Sequence, residues 1–257
     1  MAKHKFTYML SKNINSIIIF FIFFIFASFT SIESSQTGLF WTPCTTDVLE
    51  MGKVEIDFYN YFSVFNRRNH GSFFYPDVGF NLGLFSWKGL KAEAGLDCYV
   101  GANDPVYGNA KIGLSEGAIF PHAPSFSIGV CGFNTRHRRS GQIIYDCVIG
   151  KELPQGLNGR IFLGGYVGNR SIGHVREGVM FGFDYSFCRD IYRDGREYDR
   201  WTFAADYASG KNAVGGGGFG VTYYFTPDIS LQTGPVWFNS THINGNWKWS
   251  VCIDVLI

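Results

Sequence analysis

The sequence predicts an all-β protein, a single antiparallel up-and-down barrel of about twelve strands with an outer face fit for a lipid bilayer. Three observations carry that prediction. Segments alternating apolar and polar residues with period 2 recur along the chain, bounded by Gly, Pro, Asn and Asp. Aromatics make up 18% of residues and glycines number 32, a composition of many strands and tight turns. Finally, the chain closes on a strand from Trp247 to Ile257. Trp247, Trp249, Val251, Ile253 and Val255 share one face of it, and Lys248, Ser250, Cys252 and Asp254 share the other. About ten residues is the length a tilted strand needs to cross a bilayer.

Taken in order, residues 1–35 read as a signal peptide. Lys3, Lys5 and Lys12 precede an apolar run from Ile17 to Phe26, and small and polar residues follow from Ala27 to Gln36. That run is shorter than the ~20 apolar residues of a spanning helix, so cleavage is expected between Ala27 and Gln36. An uncleaved anchor is the competing reading. Residues 36–257 show no composition break and are expected to form one barrel domain.

Alternation marks strands at Val54–Phe58, Val78–Leu84, Leu90–Val100, Ala110–Leu114 and Phe126–Val130, then from near Gln142, Arg160, Val179, Trp201, Phe219, Ile229 and Trp247. Connections should alternate between short periplasmic turns, such as Phe85–Gly89 and Phe225–Ile229, and longer polar surface loops. The charged stretch Ser186–Arg200 breaks the pattern, since it falls where a short turn belongs. Either that turn is extended or the strand count slips there.

Orientation separates a membrane barrel from a soluble one, which turns its apolar face inward. Opposite the apolar face here lie Glu55, Asp57, Lys91, Glu93, Asp97, Lys111, Asp184, Asp206, Lys248 and Asp254, interleaved with glycines. These are the candidate lumen-lining residues. Their acidic excess would concentrate cations, unless the charges pair across strands and fill the interior. Aromatics near strand ends, Tyr223, Tyr224, Phe225, Trp237, Phe238 and Trp247, are placed like interfacial girdles.

A net charge of +1 with 17% charged residues gives no polyelectrolyte character, and no nucleic-acid partner is expected. Arg136, Arg138 and Arg139 form the dense basic cluster, at a surface-loop tip where it could meet anions or simply be solvated. Gly215, Gly217 and Gly220 match a dinucleotide spacing but lead into a strand rather than a helix, so no cofactor is expected. Cys/His spacing gives no metal site. Of the six cysteines, Cys131 and Cys147 flank one hairpin and are the candidate disulfide, with free thiols an equal reading. His242 with Ser240 and Asn239 is the nearest local set for hydrolysis, and ordinary loop chemistry accounts for it; no enzyme is expected.

Residues Trp201 to Ile257 resemble the C-terminal part of bacterial outer-membrane porin-like barrels. The resemblance rests on Ala205–Asn212, the strand Phe219–Phe225, the turn Thr226–Asp228, the strand Ile229–Gly234 and the closing strand. The chain departs from that pattern in ending on Ile257 and in its cysteine content. The resemblance implies export to the outer membrane, contact with its lipid, and recognition of the last strand by the barrel-assembly machinery. Passive passage of small hydrophilic solutes, cations in preference, is the expected function. A structural or surface-interaction barrel with a plugged lumen is the alternative, and an outer-membrane hydrolase the third.

Overall fold

The computed structural model describes residues 38–63, 74–134, 141–154 and 156–257. Residues 1–35 and the basic cluster Arg136, Arg138 and Arg139 lie outside these. Among the described residues the alternating segments form twelve strands: β1 (Val54–Phe62), β2 (Asp77–Trp87), β3 (Leu90–Tyr99), β4 (Val106–Leu114), β5 (Ser125–Phe133), β6 (Ile144–Glu152), β7 (Gly159–Gly168), β8 (Glu177–Ile191), β9 (Glu197–Ala208), β10 (Gly216–Thr226), β11 (Ile229–Phe238) and β12 (Trp247–Leu256). Each pairs antiparallel with its sequence neighbours. β12 pairs back to β1, with Asp57 opposite Asp254 and Phe58 opposite Ile253, so the sheet closes and leaves no edge. No helix among the described residues is long and apolar enough to cross a membrane.

Closure follows from local signals that agree with the alternation. Lys88 and Gly89 join β2 to β3 with φ of 48° and 83°, the left-handed pair that a two-residue hairpin turn requires. At the same end, Pro227 and Asp228 join β10 to β11. The opposite end carries the connections 63–76, 100–105, 134–143, 169–176, 209–215 and 239–246. Turns and loops therefore alternate, except that the connection 115–124 at the turn end is longer than 100–105 at the loop end.

The stretch Ser186–Arg200 resolves differently from either expectation. β8 and β9 simply run on: Ile191 pairs with Glu197, and the turn is only 192–196. The charges that broke the pattern lie on this long hairpin and pair with one another, Arg200 with Asp190 and Arg189 with Glu197. Arg196 forks onto both carboxyl oxygens of Asp228 at 2.7 and 2.6 Å, tying the hairpin tip to the next turn.

The two faces of the sheet are opposite in character. Leu163 on β7 is 64% exposed and Leu96 on β3 is 55%, and Ile112, Ile128, Ile149, Phe181, Phe219 and Ile253 continue the same outward band. Inward positions hold polar and ionisable side chains. The buried apolar cluster is also inside, where Val148, Phe162, Met180, Ala204 and Val236 meet residues from the segment preceding β1. That segment has no periodic sequence signal, and it organises the lumen.

The candidate disulfide is not formed. Ile128 is opposite Cys147, and Cys131 is opposite Ile144. Cys131 lines the interior while Cys147 is exposed outside, so the odd offset puts the thiols on opposite faces. All six cysteines are free.

Candidate functional site: the lumen and the segment inside it

Residues 38–50 lie within the barrel, and the wall is shaped to receive them. Glycine is needed at two positions of β10. A Cβ on Gly218 or on Gly220 would come within 2.5 Å of the Phe40 ring. The glycine-rich start of this strand is the seat of an aromatic side chain. Likewise a Cβ on Gly182 would meet Leu39, and one on Gly113 would meet Val48, at 2.6 and 2.7 Å.

The polar anchors are as specific. The Asp206 carboxylate on β9 accepts the backbone N–H groups of Phe40 (3.0 Å), Trp41 (2.9 Å) and Thr42 (2.7 Å), and the Thr42 hydroxyl at 2.9 Å. Three consecutive amides converging on one buried carboxylate is a charge-assisted cap, in which the low dielectric strengthens each bond. Arg160 on β7 forks onto Asp47 at 2.5 and 2.9 Å and donates from Nε and Nη2 to Asp184 on β8 at 3.0 and 2.6 Å. Burial by itself would raise the Asp47 carboxyl, but the Arg160 guanidinium outweighs it and holds the carboxyl below its usual range. Glu93 accepts the Leu49 N–H at 2.6 Å, Ser127 donates to the Thr45 carbonyl at 3.1 Å, and Lys91 pairs with Glu50 at 3.4 Å. Cys44 is fully buried in this setting, and burial, then the Asp206 charge, push its thiol up to about 12.

On the loop side of this segment an open cavity of about 520 Å³ remains. Its acidic floor is laid out by the strand register. One cross-strand row runs Asp254, Asp57, Gly79, Asp97, Tyr107, and the row below runs Glu55, Asn81, Gly95, Asn109. Residues directly opposite one another share a face, so these side chains converge inside. Above them Tyr61 and Phe74 stand against Trp41 of the inner segment, with ring centroids 5.6 and 6.0 Å away. On the turn side a small pocket of about 40 Å³ lies beside Asp47, Arg160 and Asp184.

Of the residues picked out by alternation, Glu55, Asp57, Glu93, Lys111, Asp184, Asp206, Lys248 and Asp254 are buried within the barrel, and Lys91 and Asp97 are partly buried there. The structure divides them. Asp206, Asp184, Glu93, Lys91 and Lys111 hold the inner segment, and Glu55, Asp57, Asp97 and Asp254 line the cavity. Sequence reasoning missed Asp47, Arg160, Asp146 and the ring of Trp41. Parity with Lys111 could have flagged Asn109, but nothing periodic marks residues 38–50. The set His242, Ser240 and Asn239 is structural in part: the Asn239 amide donates to the Ala208 and Gly210 carbonyls at 2.9 and 3.0 Å, and Ser240 precedes the short helix Thr241–Asn244. Among the described residues no group of acidic, His and Cys side chains could hold a metal ion.

Fold and site together define a closed twelve-strand β-barrel with an apolar exterior, a polar lumen and an internal segment that fills one half of it. No family model matches the chain, and no curated protein matches it. Solved structures are similar in outline only. The chain aligns to NanC porin over 79% of its own length and 97% of that chain, at 10% identity and a TM-score of 0.41. A mutant of Rh. blastica porin aligns over 82% of this chain at 10% identity and a TM-score of 0.39, and this chain spans 63% of it. A chain from a study of the in-meso crystallization of membrane proteins gives a TM-score of 0.47, at 10% identity over 80% of this chain and 83% of that one.

Proposed function

We propose that this protein is an outer-membrane, porin-like barrel that admits small hydrophilic solutes, cations in preference, and whose resting state is closed by its own residues 38–50. The observation that carries the reading is sidedness: a continuous band of exposed Leu, Ile, Val and Phe outside, and buried carboxylates and lysines inside. In water such an exterior would be a large aggregating patch, whereas in a bilayer it is solvated. Aromatic side chains gather towards the strand ends, with Trp201 on Tyr223 at 4.6 Å and Phe225 beside it near the turns, as interfacial girdles do. Closing the sheet pairs each strand on both sides, which lipid demands.

On this reading residues 1–35 are removed on export, lipid covers the outer band, and the assembly machinery engages β12. Passage is passive. Cation preference is supported by the acidic lining of the open half. A second reading, a structural barrel permanently plugged, is favoured by the number of anchors on residues 38–50.

Heat-modifiable gel migration of protein extracted from the outer-membrane fraction tests the architecture; soluble recovery from the periplasm with no shift would sink it. Planar-bilayer recording then separates the two functions. Rare, small steps in the intact protein that become frequent when residues 38–50 are deleted support the gated channel, silence of the intact protein with conductance only after the deletion supports the permanent plug, and silence in both forms would refute residues 38–50 as the closure.

A further inference from the structure

We propose that the cavity on the loop side is a binding site for a small organic ammonium ion, its head among Asn81, Asn109, Asp57 and Asp97 and its apolar body against Trp41 and Tyr61. The inference rests on the lumen being the solute path and names the class of solute.

The head site is argued from hydrogen-bond bookkeeping. Asn81 and Asn109 are each 2% exposed and line the cavity. The Asn109 amide donates to Asp97 at 3.1 Å, and the Asn81 amide leans on Asp57 at 3.5 Å. With the NH2 groups so directed, both amide oxygens are left without a donor. They converge: a Cβ built on Gly95 between them would lie 1.9 Å from one and 2.8 Å from the other. Gly95, by lacking a Cβ, lets the two orphaned amide oxygens crowd together beside the Phe80 carbonyl at the cavity floor. A buried acceptor without a donor is costly, and two side by side need a group that carries several hydrogens. An ammonium has that chemistry, with no acceptor of its own.

Charge points the same way. Asp57 stands directly opposite Asp254, and one strand over Asp97 is opposite Gly79 in the same row. Facing carboxyls in one row repel when both are ionised, and either a shared proton or a cation between them relieves the repulsion. No lysine or arginine is among the described residues lining the cavity. The dispersed carboxylates do not form a metal-holding cluster among the described residues, so an organic cation fits better than a bare metal ion.

The wall supplies the apolar half. Trp41 and Tyr61 present aromatic rings to the cavity, and rings favour a desolvated cation or its adjoining methylenes. The protein's own Lys248 already rests its ammonium 4.9 Å from the Phe74 ring centroid. About 520 Å³ lies within the size range of small-molecule pockets, about 300–1,000 Å³.

Equilibrium binding to detergent-solubilised full-length mature protein tests the proposal without requiring conductance, so a silent barrel that binds and a conducting barrel that does not are distinguished. The probe is 2-phenylethylamine, measured by titration calorimetry against its neutral isostere 2-phenylethanol and against calcium. Binding of the amine that weakens with salt, exceeds that of the alcohol at least tenfold, and drops at least tenfold in Asp57→Asn/Asp97→Asn supports the site. Trp41→Ala, which alters the inner segment and no strand, provides a second variant if the double one fails to migrate as a folded barrel; it too should weaken the amine. Equal affinity for amine and alcohol, no amine binding, calcium binding in place of the amine, or affinity unchanged in the folded variants would overturn it.

Discussion

Replacing Asp206 with Ala should release the inner segment while leaving the barrel closed. The carboxylate accepts three backbone N–H groups and the Thr42 hydroxyl. Hydrogen bonds to a charged group contribute about 1.5–3 kcal/mol each. Four bonds to one acceptor are not additive, and removing one partner of a buried charged set costs about 3–5 kcal/mol. A loss of that size shifts the ratio of seated to unseated segment by roughly 10²–10⁴, at about 1.4 kcal/mol per decade.

Cys44 reports the event. Seated, it is fully buried with its thiol pushed up to about 12, so at pH 8 only about 10⁻⁴ of it is thiolate. Unseated, an ordinary thiol near 8.5 is about one quarter ionised at that pH. Maleimide labelling therefore proceeds through the unseated state, and its rate should rise by the same roughly 10²–10⁴. Mass spectrometry of the peptide carrying Cys44 reads it without interference from Cys98, Cys147 and Cys188, which are exposed. Asp206→Asn, which keeps one acceptor oxygen, should fall between. Labelling of Asp206→Ala within about threefold of wild type, in protein that still migrates as a folded barrel, would refute the assignment of Asp206 as the anchor.

Gly218→Leu should expel Phe40 by steric conflict, since a Cβ there meets the ring first, at 2.5 Å; bilayer recording should show more frequent openings, and unchanged silence would mean the ring is not held there. Arg160→Gln leaves Asp47 and Asp184 facing each other without their guanidinium, so acceleration of Cys44 labelling should be seen at pH 8 and be smaller near pH 4, where ordinary carboxyls of pKa about 3.9 begin to protonate. Val251→Lys on the outward face of β12 should cost about 2–4 kcal/mol if it reaches the bilayer midplane, while Ser250→Lys enters the lumen and should be milder; equal tolerance in urea unfolding from vesicles would refute the sidedness. Neutralising Glu93 and Asp97 separates two roles: Glu93→Gln should loosen the segment at Leu49, and Asp97→Asn should lower cation preference in reversal potentials.

Much of the barrel was legible because a closed antiparallel sheet is a local code repeated. Alternation along β3 or β12 states which face each residue takes, and the Lys88–Gly89 and Pro227–Asp228 turns state where the chain reverses. An even number of such strands closes with neighbours in sequence order, so contacts between β2 and β3 or β11 and β12 needed no long-range information. Even the charged stretch Ser186–Arg200 obeyed the rule once its pairs were seen as cross-strand partners of a longer hairpin.

What the sequence by itself determined is thus the fold class and the inward position of Glu55, Asp57, Glu93, Asp97, Asp206 and Asp254. Only the tertiary structure decided what those residues meet. Residues 38–50 carry no period, because their contacts are with many different strands, among them β3, β4, β5, β7, β9 and β11, rather than with a neighbour two or three residues along. The Asp206 cap joins groups 164 to 166 positions apart, and the Arg160–Asp47 pair spans 113. The same holds for the meeting of Asn81 and Asn109 over Gly95, which come together only because β2 and β4 flank β3 in register. Side-chain direction is a property of the strand; company is a property of the closed barrel.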